Sequence, residues 1–117
     1  MENLTETISR YVSAWNEKTA ADVKAAIEQC CIEGITYTDK QTPLITGIDN
    51  LVSLIMSSYE IFPGRTFSLL TAPEYFDHHC YYTWGVNIPG IGDRAGRDYI
   101  TYNDDNKITT LVGFLPA

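Results

Sequence analysis

Asp39 is the residue of this chain whose type and setting could give a general base, and Tyr11 and Asp98 are two further polar groups set among apolar residues. Asp39 stands in the stretch Ile35-Thr36-Tyr37-Thr38-Asp39-Lys40-Gln41-Thr42-Pro43-Leu44-Ile45-Thr46-Gly47. That stretch reads as a short strand, a polar turn and a helix entry. Side chains alternate faces along a strand, so Asp39 shares a face with Ile35 and Tyr37. A carboxylate on a core-facing surface loses solvation, its pKa rises, and it gains general-base character. The competing reading is a solvated turn residue at a strand end. Tyr11 lies on a helical stripe with Ile8, Val12 and Trp15; it is either a core aromatic or a hydrogen-bond donor to a ligand. Asp98 is in phase with Gly96 and Ile100. It is either an inward acid among apolar residues or a carboxylate paired with Arg94 or Arg97.

The elements that must position these groups follow from periodicity. Leu4, Ile8, Tyr11, Val12 and Trp15 make one face of a helix over Leu4 to Asn16. Glu2 and Glu6 at its start suit the helix dipole. A second helix, from Ala20 to about Cys31, is entered at an N-cap Thr19 with Asp22 three residues on, close to a capping box. Gly34 reads as its stop. A third begins after Gly47-Ile48-Asp49-Asn50, keeps a helical period through Leu51, Leu54, Ile55 and Phe62, and ends at Pro63-Gly64. From Arg65 onward the period is two. Thr66, Ser68 and Leu70 alternate with Phe67 and Leu69, and Pro73–Asp77 reads as a connection. The strand His79 to Asn87 carries Cys80, Tyr82, Trp84 and Val86 on one face. Pro89-Gly90-Ile91-Gly92-Asp93 signals a hairpin loop, and Arg94 to Tyr102 returns. After the Asn103–Asn106 turn, Lys107 to Leu115 puts Leu111, Gly113 and Leu115 on one face and Ile108, Val112 and Phe114 largely on the other. Helices followed by strands argue an α+β class, with the helices on one face of a curved antiparallel sheet.

That order, with Tyr37-Thr38-Asp39, Pro43 and Gly47 and the run Gly96-Arg97-Asp98-Tyr99-Ile100-Thr101-Tyr102-Asn103-Asp104-Asp105-Asn106-Lys107-Ile108, resembles the SnoaL-like branch of the nuclear-transport-factor-two-like superfamily. Ketosteroid isomerase and scytalone dehydratase belong to that superfamily. The resemblance covers almost the whole chain, read as one domain over 1–117. It implies a cone-shaped α+β barrel with three N-terminal helices enclosing one pocket, and often a homodimer packed through the sheet. It further implies roles like those in ketosteroid isomerase, a worked example of carboxyl pKa tuning. Asp39 would be the general base; Tyr11, after Arg10, and a protonated Asp98, four residues before Tyr102, would be oxyanion donors. Trp15, Tyr37, Leu54, Tyr82, Trp84, Leu111 and Leu115 would line the pocket. For Tyr82 and Trp84 the plain reading is core.

Composition narrows the partners. The net charge is −7, with only 8 Lys and Arg, and these are scattered, so nucleic acid and anionic membranes are poor partners. Cys30, Cys31 and Cys80 are odd in number with two adjacent, which reads as buried thiols and not a disulfide framework. His78 and His79 are neighbours on a strand and point to opposite faces, so they do not read as metal ligands. No nucleotide-binding or metalloprotease motif occurs, and no cofactor is expected. The N-terminus has no signal-peptide pattern and no apolar run approaches a membrane span, so the default location is cytoplasmic. The expected function is a cofactor-free isomerase, cyclase or lyase on a small, mostly apolar carbonyl compound. The alternative is a non-catalytic ligand-binding or dimeric interaction module of the same fold.

Overall fold

A computed structural model describes residues 3–116. Glu2, expected to complement the first helix dipole, lies outside them. Helix α1 is Leu4–Ala14 and α2 is Ala20–Cys30. The strands are β1 Cys31–Asp39, β2 Thr42–Thr46, β3 Thr66–Leu69, β4 Glu74–Phe76, β5 His79–Ile88, β6 Gly92–Tyr102 and β7 Ile108–Phe114, with α3 Ile48–Ile61 between β2 and β3. The helices start where their sequences say. Asn3 Oδ1 accepts from the Glu6 N–H, and Thr19 Oγ1 accepts from the Asp22 N–H at 3.1 Å, satisfying amides that have no partner inside the helix. Leu4, Ile8, Tyr11 and Val12 of α1 and Val23, Ile27 and Cys30 of α2 are buried.

The strands form one curved, open sheet in the order β2-β1-β7-β6-β5-β3, with β4 also paired to β5. The class is α+β, as expected. The sheet is mixed, however, because β1 runs parallel to β7, and its ends at β2 and β3 do not close into a barrel. The helices lie against it, α2 and α3 meeting β1 and α1 meeting β3. None of the described helices is long and apolar enough to cross a membrane.

Four local expectations are corrected. Gly34 does not stop α2; it lies inside β1, because the chain passes from Cys30 directly into the extended backbone of Cys31, φ −125° and ψ 151°. Thr42–Thr46 is not a helix entry but a strand, hairpinned to β1 through Lys40-Gln41. Its Pro43 is tolerated because β2 is an edge strand, where a missing amide breaks no ladder on the open side. Part of the 73–77 connection is β4, joined to β5 by Asp77 and His78 in left-handed conformations, φ 47° and 69°. Ile108 faces the core, since a register shift after Thr101 pairs Tyr102 with Ile108 while Ile100 still pairs with Leu111.

Buried Arg65 ties this arrangement together. It donates from Nη1 to the Trp15 carbonyl (2.8 Å), from Nη2 to the Ile55 carbonyl (3.1 Å) and from Nε to Ser58 Oγ (2.9 Å). Its guanidinium also sits over Trp15, Tyr59 and Phe67. Asn16 pairs with the Phe67 backbone in both directions, accepting its N–H at 2.7 Å and donating to its carbonyl at 2.9 Å. The end of α1, with Trp15, is thus fixed to α3 and β3.

Candidate functional site

Asp39 closes β1, where the pairing with β2 shifts between Tyr37 and Asp39. Its two oxygens each accept a hydrogen bond. Oδ1 accepts the Gln41 backbone N–H at 2.8 Å and shapes the turn; Oδ2 accepts from Tyr37 Oη at 2.7 Å. Tyr37 is buried on the same face of the strand. Its phenol is held well above the ordinary range by burial and by the neighbouring Asp39 carboxylate, so it stays a neutral donor.

Asp98 on β6 is 7% exposed. Oδ2 accepts from Tyr82 Oη at 2.7 Å and Oδ1 from Trp84 Nε1 at 3.0 Å. Neither arginine considered as its partner reaches it. Arg94 Nη1 donates to the Asp93 carbonyl, and the Arg97 guanidinium lies over the Phe114 ring. Burial pushes the Asp98 carboxyl up to about 6; Tyr82 and Trp84 hold it down, and Asp39 adds an upward push.

Asp39 and Asp98 flank Gly113. In the β6–β7 ladder Gly113 is opposite Asp98, and β7 runs beside β1 with Tyr37 next to Leu111. A Cβ at position 113 would lie 3.1 Å from Tyr37 Oη, 3.5 Å from Asp39 Cβ and 3.6 Å from Asp98 Oδ1. The missing side chain therefore marks one spot faced by Tyr37, Asp39 and Asp98. Tyr11 stands in the same charge environment. Burial raises its phenol furthest, and Asp98 and then Tyr37 add to the rise, with the Trp15 side chain opposing it.

Aromatic rings line up beside these groups. Trp15 is 6.2 Å from Tyr37 and 5.4 Å from Phe67, and Phe67 is 5.5 Å from Trp84, centroid to centroid. Phe67 was not foreseen here. Its alternation with Thr66 and Ser68 placed it on a strand face, but only the tertiary packing sets it between two tryptophans. Leu111 is fully buried, while Leu54 and Leu115 are half-buried and pack against the core. A separate recess, about 630 Å³, lies at the other end of β1 among Lys24 and Glu28 of α2, Cys31 and Glu33 of β1, and the start of α3; it contains none of the trio. His78 bonds Asp104 at 2.8 Å and His79 bonds Tyr99, both exposed. The three cysteines are free and buried.

No protein-family model and no curated protein sequence matches this chain. Solved structures do. A candidate isomerase of the SnoaL-like family from Agrobacterium tumefaciens strain C58 superimposes with a TM-score of 0.85 at 25% identity, over 96% of each chain. The chain has the SnoaL-like fold. A nuclear-transport-factor-two-like protein of unknown function from Exiguobacterium shares it at a TM-score of 0.73 and 18% identity, over 95% of this chain and 98% of that one. A candidate SnoaL-like polyketide cyclase from Jannaschia does so at 0.71 and 11%, over 94% and 85%. Within the SnoaL-like fold of this chain, Tyr37, Asp39 and Asp98 flank the spot over Gly113.

Proposed function

We propose that this protein is a cofactor-free isomerase, cyclase or lyase acting in the cytoplasm on a small, mostly apolar carbonyl compound. Asp39 takes the proton alpha to the carbonyl. Tyr11 and Asp98 in its protonated form donate hydrogen bonds to the oxygen that gains charge as the enolate develops. Tyr37, Trp15, Leu54, Tyr82, Trp84, Leu111 and Leu115 supply the apolar surroundings. The observation that carries the reading is the approach of Asp39, Asp98 and the Tyr37 hydroxyl to one spot over Gly113. A carboxyl titrating at about 6 is protonated in about a tenth of molecules at pH 7, and a ligand oxygen that gains negative charge draws that proton on. The likeness to a candidate isomerase at 25% identity supports the same class.

The test is deuterium exchange and isomerisation across conjugated enones and polyketide-like ketones. Wild type is expected to exchange the alpha proton of at least one, and Asp39→Asn to lose that activity while keeping its fold. A wild type inert to the whole panel overturns the reading.

A second reading is a binding module that leaves its ligand unchanged. What favours it is that all four carboxyl oxygens of Asp39 and Asp98 already have donors within the chain. A ligand that raises the melting temperature and is recovered intact would decide for it. In either reading we propose a homodimer packed through the sheet. Tyr81 and Phe114 are exposed at 42% and 46%, on the face opposite the buried Tyr82 and Gly113. Light scattering tests the dimer directly.

A further inference from the structure

The β5–β6 ladder pairs Tyr82 with Asp98 and Trp84 with Gly96. Tyr82 therefore reaches its carboxylate straight across, while Trp84 must reach diagonally, two residues along the partner strand. Diagonal neighbours lie farther apart than directly opposed ones, and only long side chains bridge them. The indole does so by lying down on the backbone at its own partner position. A Cβ at Gly96 would fall 2.2, 2.6 and 2.7 Å from three carbons of the Trp84 ring. No ordinary contact is that short, so any side chain there evicts the indole.

We propose that Gly96 is a positioning residue: by presenting no side chain opposite Trp84, it lets the indole lie flat on β6 and deliver its Nε1–H to Asp98 Oδ1. That oxygen is also the one nearest the spot over Gly113, so the indole fixes the carboxyl oxygen that faces a bound molecule. The Phe67 ring of β3 packs beside the indole, 5.5 Å from it centroid to centroid. The placement rests on the reading of Asp98 as a site residue, but its test needs no substrate.

The other titratable groups felt at Asp98 are Tyr82 and Cys80 on β5, Tyr11 on α1, and Tyr37 and Asp39 on β1. Of the hydrogen bonds holding the carboxyl down, Trp84 supplies one and Tyr82 the other. Removing one donor from a charged acceptor is expected to move the Asp98 titration upward by roughly one pH unit. The experiment follows the Asp98 side-chain carboxyl carbon by NMR against pH in wild type, Gly96→Ala and Trp84→Phe. Trp84→Phe keeps a ring and deletes the donor; Gly96→Ala keeps the donor and displaces the ring. Both should shift the midpoint upward; Gly96→Ala should also move the Trp84 indole N–H resonance and change its fluorescence, signals that Trp84→Phe removes altogether. An unmoved midpoint in Trp84→Phe shows that the indole does not act on Asp98. An unmoved midpoint and an unchanged indole in Gly96→Ala show that position 96 does not place it. If Gly96→Ala fails to fold, Trp84→Phe still decides the indole's part, and the Gly96→Ala/Trp84→Ala double variant decides the glycine's: recovery of the fold shows that the methyl clashes with the indole, and continued failure overturns the placement. Inactivity of the wild type toward ketones would remove the proposed reaction without touching either result.

Discussion

Tyr37 and Asp39 are two residues apart on one strand, and the phenol of the first donates to the carboxylate of the second at 2.7 Å. The pair is built locally: same-face neighbours on a strand are close enough for a tyrosine to span them. It orients Asp39 Oδ2 while the Gln41 amide holds Oδ1. Asp39→Asn keeps an acceptor for one of these donors and removes the base. Turnover of an enone substrate should fall by about 10² to 10⁴-fold, the range that general-base catalysis contributes. Steady-state kinetics with circular dichroism as a fold control measures it; retained turnover would move the base elsewhere.

The methyl of Gly113→Ala would stand 3.1 Å from Tyr37 Oη and 3.6 Å from Asp98 Oδ1, occupying the proposed reacting position. Small displacements of reacting groups cost about 10²-fold in rate. Activity, or ligand affinity in the binding reading, should drop on that scale, with the melting temperature changed by only about 5 °C or less. A variant with full binding would place the ligand away from Gly113.

Asp98 makes stability depend on pH in a definite direction. Its carboxyl is raised from 3.8 to about 6 in the fold. Between those values the unfolded chain binds fewer protons than the native one, so stability falls as pH rises through this window. The penalty is absent below pH 3.8 and complete above pH 6, with a ceiling of about 3 kcal/mol. In Asp98→Asn this component vanishes. Urea titrations at several pH values should show the wild type losing ground to the variant between pH 4 and pH 6. A constant difference across that range contradicts the shift.

Arg65 is 3% exposed, and its fork spans the Trp15 and Ile55 carbonyls and Ser58. Arg65→Ala strands the buried Ile55 carbonyl and the part-buried Trp15 carbonyl and removes a guanidinium lying over three rings. The expected loss is about 3 kcal/mol or more in chemical denaturation. Arg65→Lys should recover only part of it, because an ammonium has no planar fork. Full recovery by lysine would mean that charge alone matters there.

Residues whose roles depend on nearby chain were legible. Thr19 and Asp22 announced a helix start, and the alternation of Cys80, Tyr82, Trp84 and Val86 announced the buried face of a strand. The SnoaL-like fold was legible in the element order and in the surroundings of Asp39 and Asp98. What failed to show depends on register. Asp98 finds Tyr82 and Trp84, not Arg94 or Arg97, because the Pro89–Asp93 loop sets β5 against β6 so that Tyr82 lies opposite it. Ile108 turned inward through a one-residue slip that leaves no mark on composition. Thr42–Thr46 looked like a helix entry because Pro43 hides an edge strand. Gly96 reads in phase with Asp98, and Gly113 on one face with Leu111 and Leu115, but the ring and the carboxyl oxygen beside them come only with the fold.

The parallel pairing of β1 with β7 has a kinetic consequence. Asp39 belongs to the first strand of the sheet, and its neighbour in the ladder is the last, more than sixty residues later. A growing chain halted before residue 108 would already contain Tyr11, Asp39 and Asp98 yet lack the strand that stands between the two acids. Chain entropy opposes such distant closures until late in folding. A partly made molecule would therefore hold the two acids apart, and the spot they flank would arrive only with the closing strand, which carries Gly113.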